Sequence, residues 1–483
     1  MKKWFSLALA FLMLLTASCG GASGSQDTTA ASGDDTTAAP VTTELTDGLE
    51  DKNMEGFSLN ILHHDDTWLT WAKTQLVADE ENGDLINDTI YKRNSYIEDR
   101  FNAKINVTGV NQVASVFKQE VMSGDNNYDI IFQYGINVLG NVDLLADMNN
   151  IPYLNLDADH WLPSASSVFA IGKKQIALAG SWSLSYASGA YCFAFNKELY
   201  DSLQIKDNIY DLVRDGKWTT DKFFEIVAKG VADLNGDATM DDKDRAGSTG
   251  SVKQYFNALI GGANIKYIKT DADGNPVFDV KGNTKTVDFM EKLLGQLEKE
   301  PFVFANTATS VDNGGGYDFK SGQSFFINTT PLGIEKMRDV ESDFGIVPSP
   351  KYDEKQEKYY SQSNIGEIAT LPRSYDAARM ENVGMLMEAM GFYSQKNLLP
   401  AYADVAVSVK ATRDDDSMEM LQIIFESISF DAGVVVWQND VGNVYMKNVF
   451  MPRSNTIAST TESIATAMET KFQTLVEQLA EMP

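Results

Sequence analysis

The chain has 483 residues, with 40 Lys and Arg against 68 Asp and Glu and a formal charge of -28. Such acidity argues against nucleic acid, whose phosphates need clustered Lys and Arg, and against a polybasic membrane-surface role. At 43% hydrophobic the chain can bury a full core, while 2 cysteines and 3 histidines exclude a disulfide scaffold or multi-Cys zinc site and leave little for His-based catalysis.

Lys2 and Lys3 open the chain, and an apolar stretch covers residues 4–16. It is too short to span a membrane and has the plan of a secretory signal. The string Leu14-Leu15-Thr16-Ala17-Ser18-Cys19-Gly20 resembles a bacterial lipoprotein signal, which implies cleavage after residue 18 and lipidation at Cys19. An ordinary cleaved signal is the alternative. Residues 19–56 then begin with Gly, Ser, Thr, Ala and Asp, and Asp-Thr-Thr-Ala-Ala occurs at 27–31 and again at 35–39. Such a segment buries too little to offset its ordering entropy, so it is expected to be a flexible tether of roughly 30 Å reach.

From Phe57 the pattern becomes α/β. Phe57, Leu59 and Ile61 alternate as in a strand. Ile86, Ile90, Ile97 and Phe101 fall on one stripe, which predicts a helix over 84–101. A strand over 104–108, a weaker helix over 113–122 and a short buried strand over 128–132 follow. The pattern restarts with a strand over 190–196. Thr219 can cap the next helix, with Trp218 stapled onto Phe223. Helices fit 283–298, 379–396 and 461–482, and strands fit 324–328 and 344–347. Two α/β units predict two lobes around a cleft beyond the carboxyl ends of the strands.

Several strings add up in their order: Phe195-Asn196-Lys197-Glu198-Leu199, the segment 210–219, Phe319-Lys320-Ser321-Gly322-Gln323, and Asp343-Phe344-Gly345-Ile346-Val347-Pro348. With the lipoprotein start, the chain resembles an extracellular solute-binding protein of an ABC importer, in the carbohydrate-binding group that includes the maltose-binding proteins. The resemblance implies the type II periplasmic-binding-protein-like fold, α/β, with lobes of residues 57–185 plus 365–430 and 190–360 plus 431–483. The chain would cross near 183–190, 364–370 and Phe430. It also implies a monomer on the outer face of a bacterial membrane, capturing a sugar or oligosaccharide for ABC permease subunits, with no catalytic cofactor. A secreted carbohydrate-active enzyme and a binding lipoprotein that feeds a sensor stay open as alternatives.

Ligand candidates follow strands or crossovers. Asp65, Asp66, Trp68 and Tyr134 fall in the first lobe, Asn328 and Trp437 in the second, and Trp182 and Tyr186 near the hinge. Carboxylates and amides accept sugar hydroxyls, and aromatic rings stack on the apolar sugar face. No basic residue lies between Asp65 and Trp68, Tyr134 and Asn141, or Trp182 and Asn196, which suits a neutral oligosaccharide. His63 and His64, adjacent on an extended chain, point opposite ways and make no metal pair. Asp233, Asn235, Asp237, Thr239 (through its carbonyl), Asp241 and Asp244 have the spacing of a calcium loop, with Ala238 where glycine is usual, and predict a structural Ca²⁺. No glycine-flanked serine, paired-histidine metalloprotease or phosphate-loop motif is present.

Overall fold

The computed structural model describes residues 46–65, 73–241, 243–297, 313–314, 317–337, 340, 342–363, 367–373, 376–406 and 414–482. Cys19, Asp66 and Trp68, and with them the signal and most of the tether, lie outside the described residues.

Two four-stranded sheets organise these residues. Their strands are β1 (Phe57–His64), β2 (Ala103–Val110), β3 (Ile130–Gln133), β4 (Cys192–Asn196), β5 (Ala246–Thr249), β6 (Ser324–Thr329), β7 (Phe344–Pro348) and β8 (Ile368–Thr370). The first sheet has the order β8-β3-β1-β2, with β1 parallel to β2 and β3, and β8 antiparallel to β3. The second has the order β7-β4-β6-β5, with β4 antiparallel to both neighbours and β6 parallel to β5.

Helices cover both sheets. In the first lobe, α1 (Leu85–Phe101) begins where Asp84 accepts hydrogen bonds from the backbone N–H groups of Ile86 and Asn87. It ends where Asn102 takes a left-handed φ of 48°. Its buried stripe is Ile86, Ile90, Ile97 and Phe101, so a 3.6-residue period becomes one core face. α2 (Val113–Ser123) follows β2. In the second lobe come α3 (Thr220–Lys229), α4 (Val252–Gly262), α5 (Thr284–Leu297) and the short α6 (Pro331–Glu335). α7 (Ala377–Tyr393) returns to the first lobe against α1, and α8 (Leu399–Ala406) packs between α1 and α6. α9 (Asp415–Glu426) lies on β7, and α10 (Ile457–Ala480) closes the chain. Among the described residues no helix is long and apolar enough to cross a membrane.

The lobes are joined side by side. Leu178 still pairs with Ala369 of the first sheet, and the chain then runs through Ala190, bridged to Ser363, into β4. Residues Ser361–Gln362 pair in parallel with Ile428–Ser429, and Tyr191 donates its N–H to the Gln362 carbonyl at 2.9 Å. The expected third crossing near Phe430 is placed differently. α9 already lies on the second sheet, so the chain has reached the second lobe before Phe430. Residues 415–426 therefore sit with the second lobe, because their buried face (Met420, Leu421, Ile424) covers β7.

Candidate functional site

At the carboxyl ends of β1 and β3 the first lobe presents polar groups. Asp65, half-buried, is held by its N–H on the Val110 carbonyl at 3.1 Å. His64 donates its backbone N–H to Glu367 Oε1 at 2.7 Å, which ties the residue before β8 to the end of β1 although β3 lies between the two strands. Burial, with His63 adding, lowers the His64 imidazole to about 4, so the ring is neutral at physiological pH. Gln133 is fully buried and donates to Thr370 Oγ1 at 2.9 Å. Tyr134, the residue after β3, is half-buried. It interacts with Tyr191, whose phenol is pushed up by burial and by Tyr134, against a hydrogen bond from Asn257.

The second lobe answers with the ends of β5 and β6. Asn328 is 1% exposed; its Nδ2 donates to the Cys192 carbonyl at 3.0 Å, and its Oδ1 has no partner among the described residues. A buried amide oxygen left unpaired is costly, on the order of 1–3 kcal/mol, and is a group that a ligand hydroxyl would satisfy. Gly250 permits the packing here, since a Cβ on it would stand 3.1 Å from Asn328 Cβ. Strand ends of both sheets thus converge on the crossing segments, with acceptors and a phenol ring and no cation among the groups named.

Solved structures share this fold. An ABC substrate-binding protein from Listeria monocytogenes in complex with cycloalternan is 12% identical, with a TM-score of 0.51 over 86% of this chain and 99% of that one. The cyclic α-maltosyl-1,6-maltose binding protein from Arthrobacter globiformis is 12% identical, with a TM-score of 0.54 over 87% of this chain and 100% of that one. The GacH receptor of Streptomyces glaucescens, solved unliganded and with acarbose, is 12% identical, with a TM-score of 0.51 over 86% of this chain and 99% of that one. The chain has the two-lobed fold of these binding proteins. No protein-family model and no curated protein matches the sequence.

Within that fold, the aromatic residues expected at the ligand divide. Trp182 is 1% exposed and packs edge-on against Phe132 at 5.0 Å and Trp161 at 5.1 Å. It is buried in the first lobe's core cluster with these two rings. Tyr186 is also buried, its hydroxyl 3.5 Å from Ser181 Oγ and its phenol pushed up to about 12 by burial. It fixes the crossing segment: its carbonyl accepts from Ser363 Oγ at 2.6 Å. Trp437 packs edge-on to Phe472 of α10 and lines a cavity of about 400 Å³ shared with Val168, Ile268 and Phe430. That cavity lies by the meeting of two hairpin turns, where the Gly172 N–H donates to the Gly274 carbonyl at 2.9 Å. A Cβ on Gly274 would stand 2.3 Å from the Gly172 carbonyl oxygen. None of Asp65, Tyr134 and Asn328 lines it, so Trp437 is not gathered with them there.

The acidic loop is shaped by its own amides. Asp233 accepts from the N–H groups of Gly236 and Ala238 at 2.6 and 2.8 Å, and Asp237 from Thr239 at 2.8 Å. Asn235 accepts from the Asp237 N–H at 2.9 Å, and Asp241 pairs with Lys243 at 3.4 Å. Asp244 ties both ends, accepting from Leu234 and Asp241 at 2.8 and 2.9 Å. Ala238 takes the left-handed φ of 62° that a glycine would adopt freely. Among the described residues no group of three His, Cys, Asp or Glu side chains is placed to hold a metal ion. A calcium ion would have to draw these carboxylates together.

Sequence reasoning missed Tyr191 and Asn257, which interact with each other beside Tyr134, and Glu367, which holds the His64 N–H. Tyr191 and Asn257 read as ordinary core positions, and Glu367 is one acid among 68. Cys192, the second cysteine, is fully buried and its thiol is pushed up by burial, as expected of a small apolar residue.

Proposed function

We propose that this chain is an extracellular solute-binding protein that captures a sugar or oligosaccharide in the cleft and delivers it to an ABC permease, without chemistry. The observation that carries the reading is the buried Asn328 amide oxygen at a strand end of the second lobe, which has no hydrogen-bond partner among the described residues; Asp65 and Tyr134 stand at strand ends of the first lobe. It is supported by the likeness in fold to proteins solved with cycloalternan and acarbose. A neutral ligand fits, because acceptor-rich strand ends suit donating hydroxyls. The test is calorimetric titration with neutral oligosaccharides. Wild type should bind, and Tyr134→Ala should lose about 1–3 kcal/mol, by analogy with aromatic stacking on bases. Unchanged affinity in that variant removes Tyr134 from the site, and steady release of smaller sugars would replace the binding protein by a hydrolase.

Lipidation at Cys19, on a tether from the outer face of the membrane, belongs to the same proposal and rests on the signal-like N-terminus. Cys19→Ala should then release the protein to the medium; retention in the membrane fraction contradicts it. The 233–244 loop is proposed to take one structural calcium ion, supported by the ligand spacing and by the left-handed turn at Ala238. Chelation should lower the melting temperature of wild type and leave Asp237→Ala unaffected. A wild-type melting curve indifferent to calcium rejects the ion.

A further inference from the structure

Among the described residues an ion pair joins the two lobes near the first crossing segment. Lys73 Nζ lies 2.9 Å from Glu335 Oε2, with side-chain exposures of 27% and 10%. Lys73 belongs to the first lobe, because the Leu76 carbonyl three residues on accepts from Arg93 Nη2 at 2.7 Å and Asn94 Nδ2 at 3.0 Å, both on α1. Its own N–H donates to Ser188 Oγ at 3.1 Å on the first crossing segment. Glu335 ends α6, which follows directly from β6 and Asn328 in the second lobe. The Lys73 ammonium also stands 5.5 Å from the centroid of the Tyr402 ring on α8, and burial, with Glu335 adding, pushes the Tyr402 hydroxyl well up. The site therefore has a cation and an anion from opposite lobes over an aromatic floor.

We infer that Lys73 and Glu335 are positioning residues for closure: the pair holds the lobes together and so helps set the affinity of the cleft. The inference rests on the proposed function only in supposing that the lobes open and close. Opening returns both charges to water, while closing withdraws both and pairs them. Removing one partner leaves the other half-buried and unpaired in the closed form alone, which shifts the population toward open. Removing both relieves that penalty. High salt should loosen the pair, since neither charge is fully shielded from solvent.

The experiment is single-molecule energy transfer between dyes at Met122→Cys on α2 and Lys229→Cys on α3, in a Cys19→Ala chain without sugar. Lys73→Met and the near-isosteric Glu335→Gln should each lower the closed-to-open ratio about tenfold, between the exposed-pair and buried-pair limits. The double variant should lie nearer wild type than either single one, and raising NaCl from about 20 to about 500 mM should open wild type but not the double variant. A cooperative melt for each variant shows that it is folded. Ratios unchanged by both single substitutions, or effects that simply add, overturn the inference. Because no sugar is present, a chain that binds no sugar yet gives this pattern keeps the pair and loses the sugar reading, whereas a chain that binds sugar with unchanged ratios loses the pair alone.

Discussion

Two buried groups titrate in opposite senses. His64 is lowered to about 4 by burial and by His63. Asp431, fully buried, is pushed up to about 6 by burial, against Lys266 and the backbone N–H groups of Tyr267, Gly433 and Ile268. A lowered histidine contributes stability present above its unfolded value and lost as pH falls from about 6.5 to 4. A raised aspartate does the reverse: its contribution is present below its unfolded value of about 3.9 and is lost as pH rises through 6. Each slope is about 1.4 kcal/mol per pH unit for one proton, so the two largely offset between pH 4 and 6. Asp431→Asn should remove one side of this balance, and its melting temperature should then fall more steeply than that of wild type from pH 6 to pH 4. Parallel melting profiles for the two proteins would show that Asp431 does not carry the shift. Neither property was legible from the sequence, where His64 and Asp431 sit in unremarkable strings; burial by distant segments creates both.

Elements with a local signal were legible. Thr219 caps α3, its Oγ1 accepting from the Lys222 N–H at 3.3 Å, and Trp218 packs edge-on to Phe223 at 5.7 Å, as the spacing predicts. The same indole, fully buried, donates Nε1–H to the Pro348 carbonyl at 2.8 Å and so ties this helix start to β7. Thr219→Ala should cost about 1 kcal/mol, the loss of one cap, and Trp218→Ala about 3–5 kcal/mol, the loss of a core ring. Urea denaturation measures both, and equal losses would mean that the indole anchors nothing beyond the cap. Elements without a local signal were missed. β5 is the short Ala-Gly-Ser-Thr run 246–249, which has no apolar alternation and is a strand because β6 lies parallel to it. α9 is capped by Asp414 and opens with Asp415 and Asp416, an acidic start that carries no apolar signal, yet its buried face covers β7.

At the scale of the whole molecule, two lobes and a cleft were legible because the βα pattern begins at Phe57 and restarts near residue 190. Where the candidate residues fall relative to the strands was legible in part. Asp65, Tyr134 and Asn328 stand at strand ends as the topology requires, but an aromatic residue in a sequence does not announce its direction, and Trp182 faces the core. The proposed neutral ligand is one that acceptors such as Asp65 and Asn328 would suit, beside a neutral His64. A thermal-shift screen of neutral oligosaccharides beside peptides, polyamines and anions tests this most directly, since a ligand at 100 times its Kd adds about 2.7 kcal/mol of stability. Neutral oligosaccharides should raise the melting temperature and the other classes should not. A chain stabilised only by peptides, polyamines or anions would contradict it.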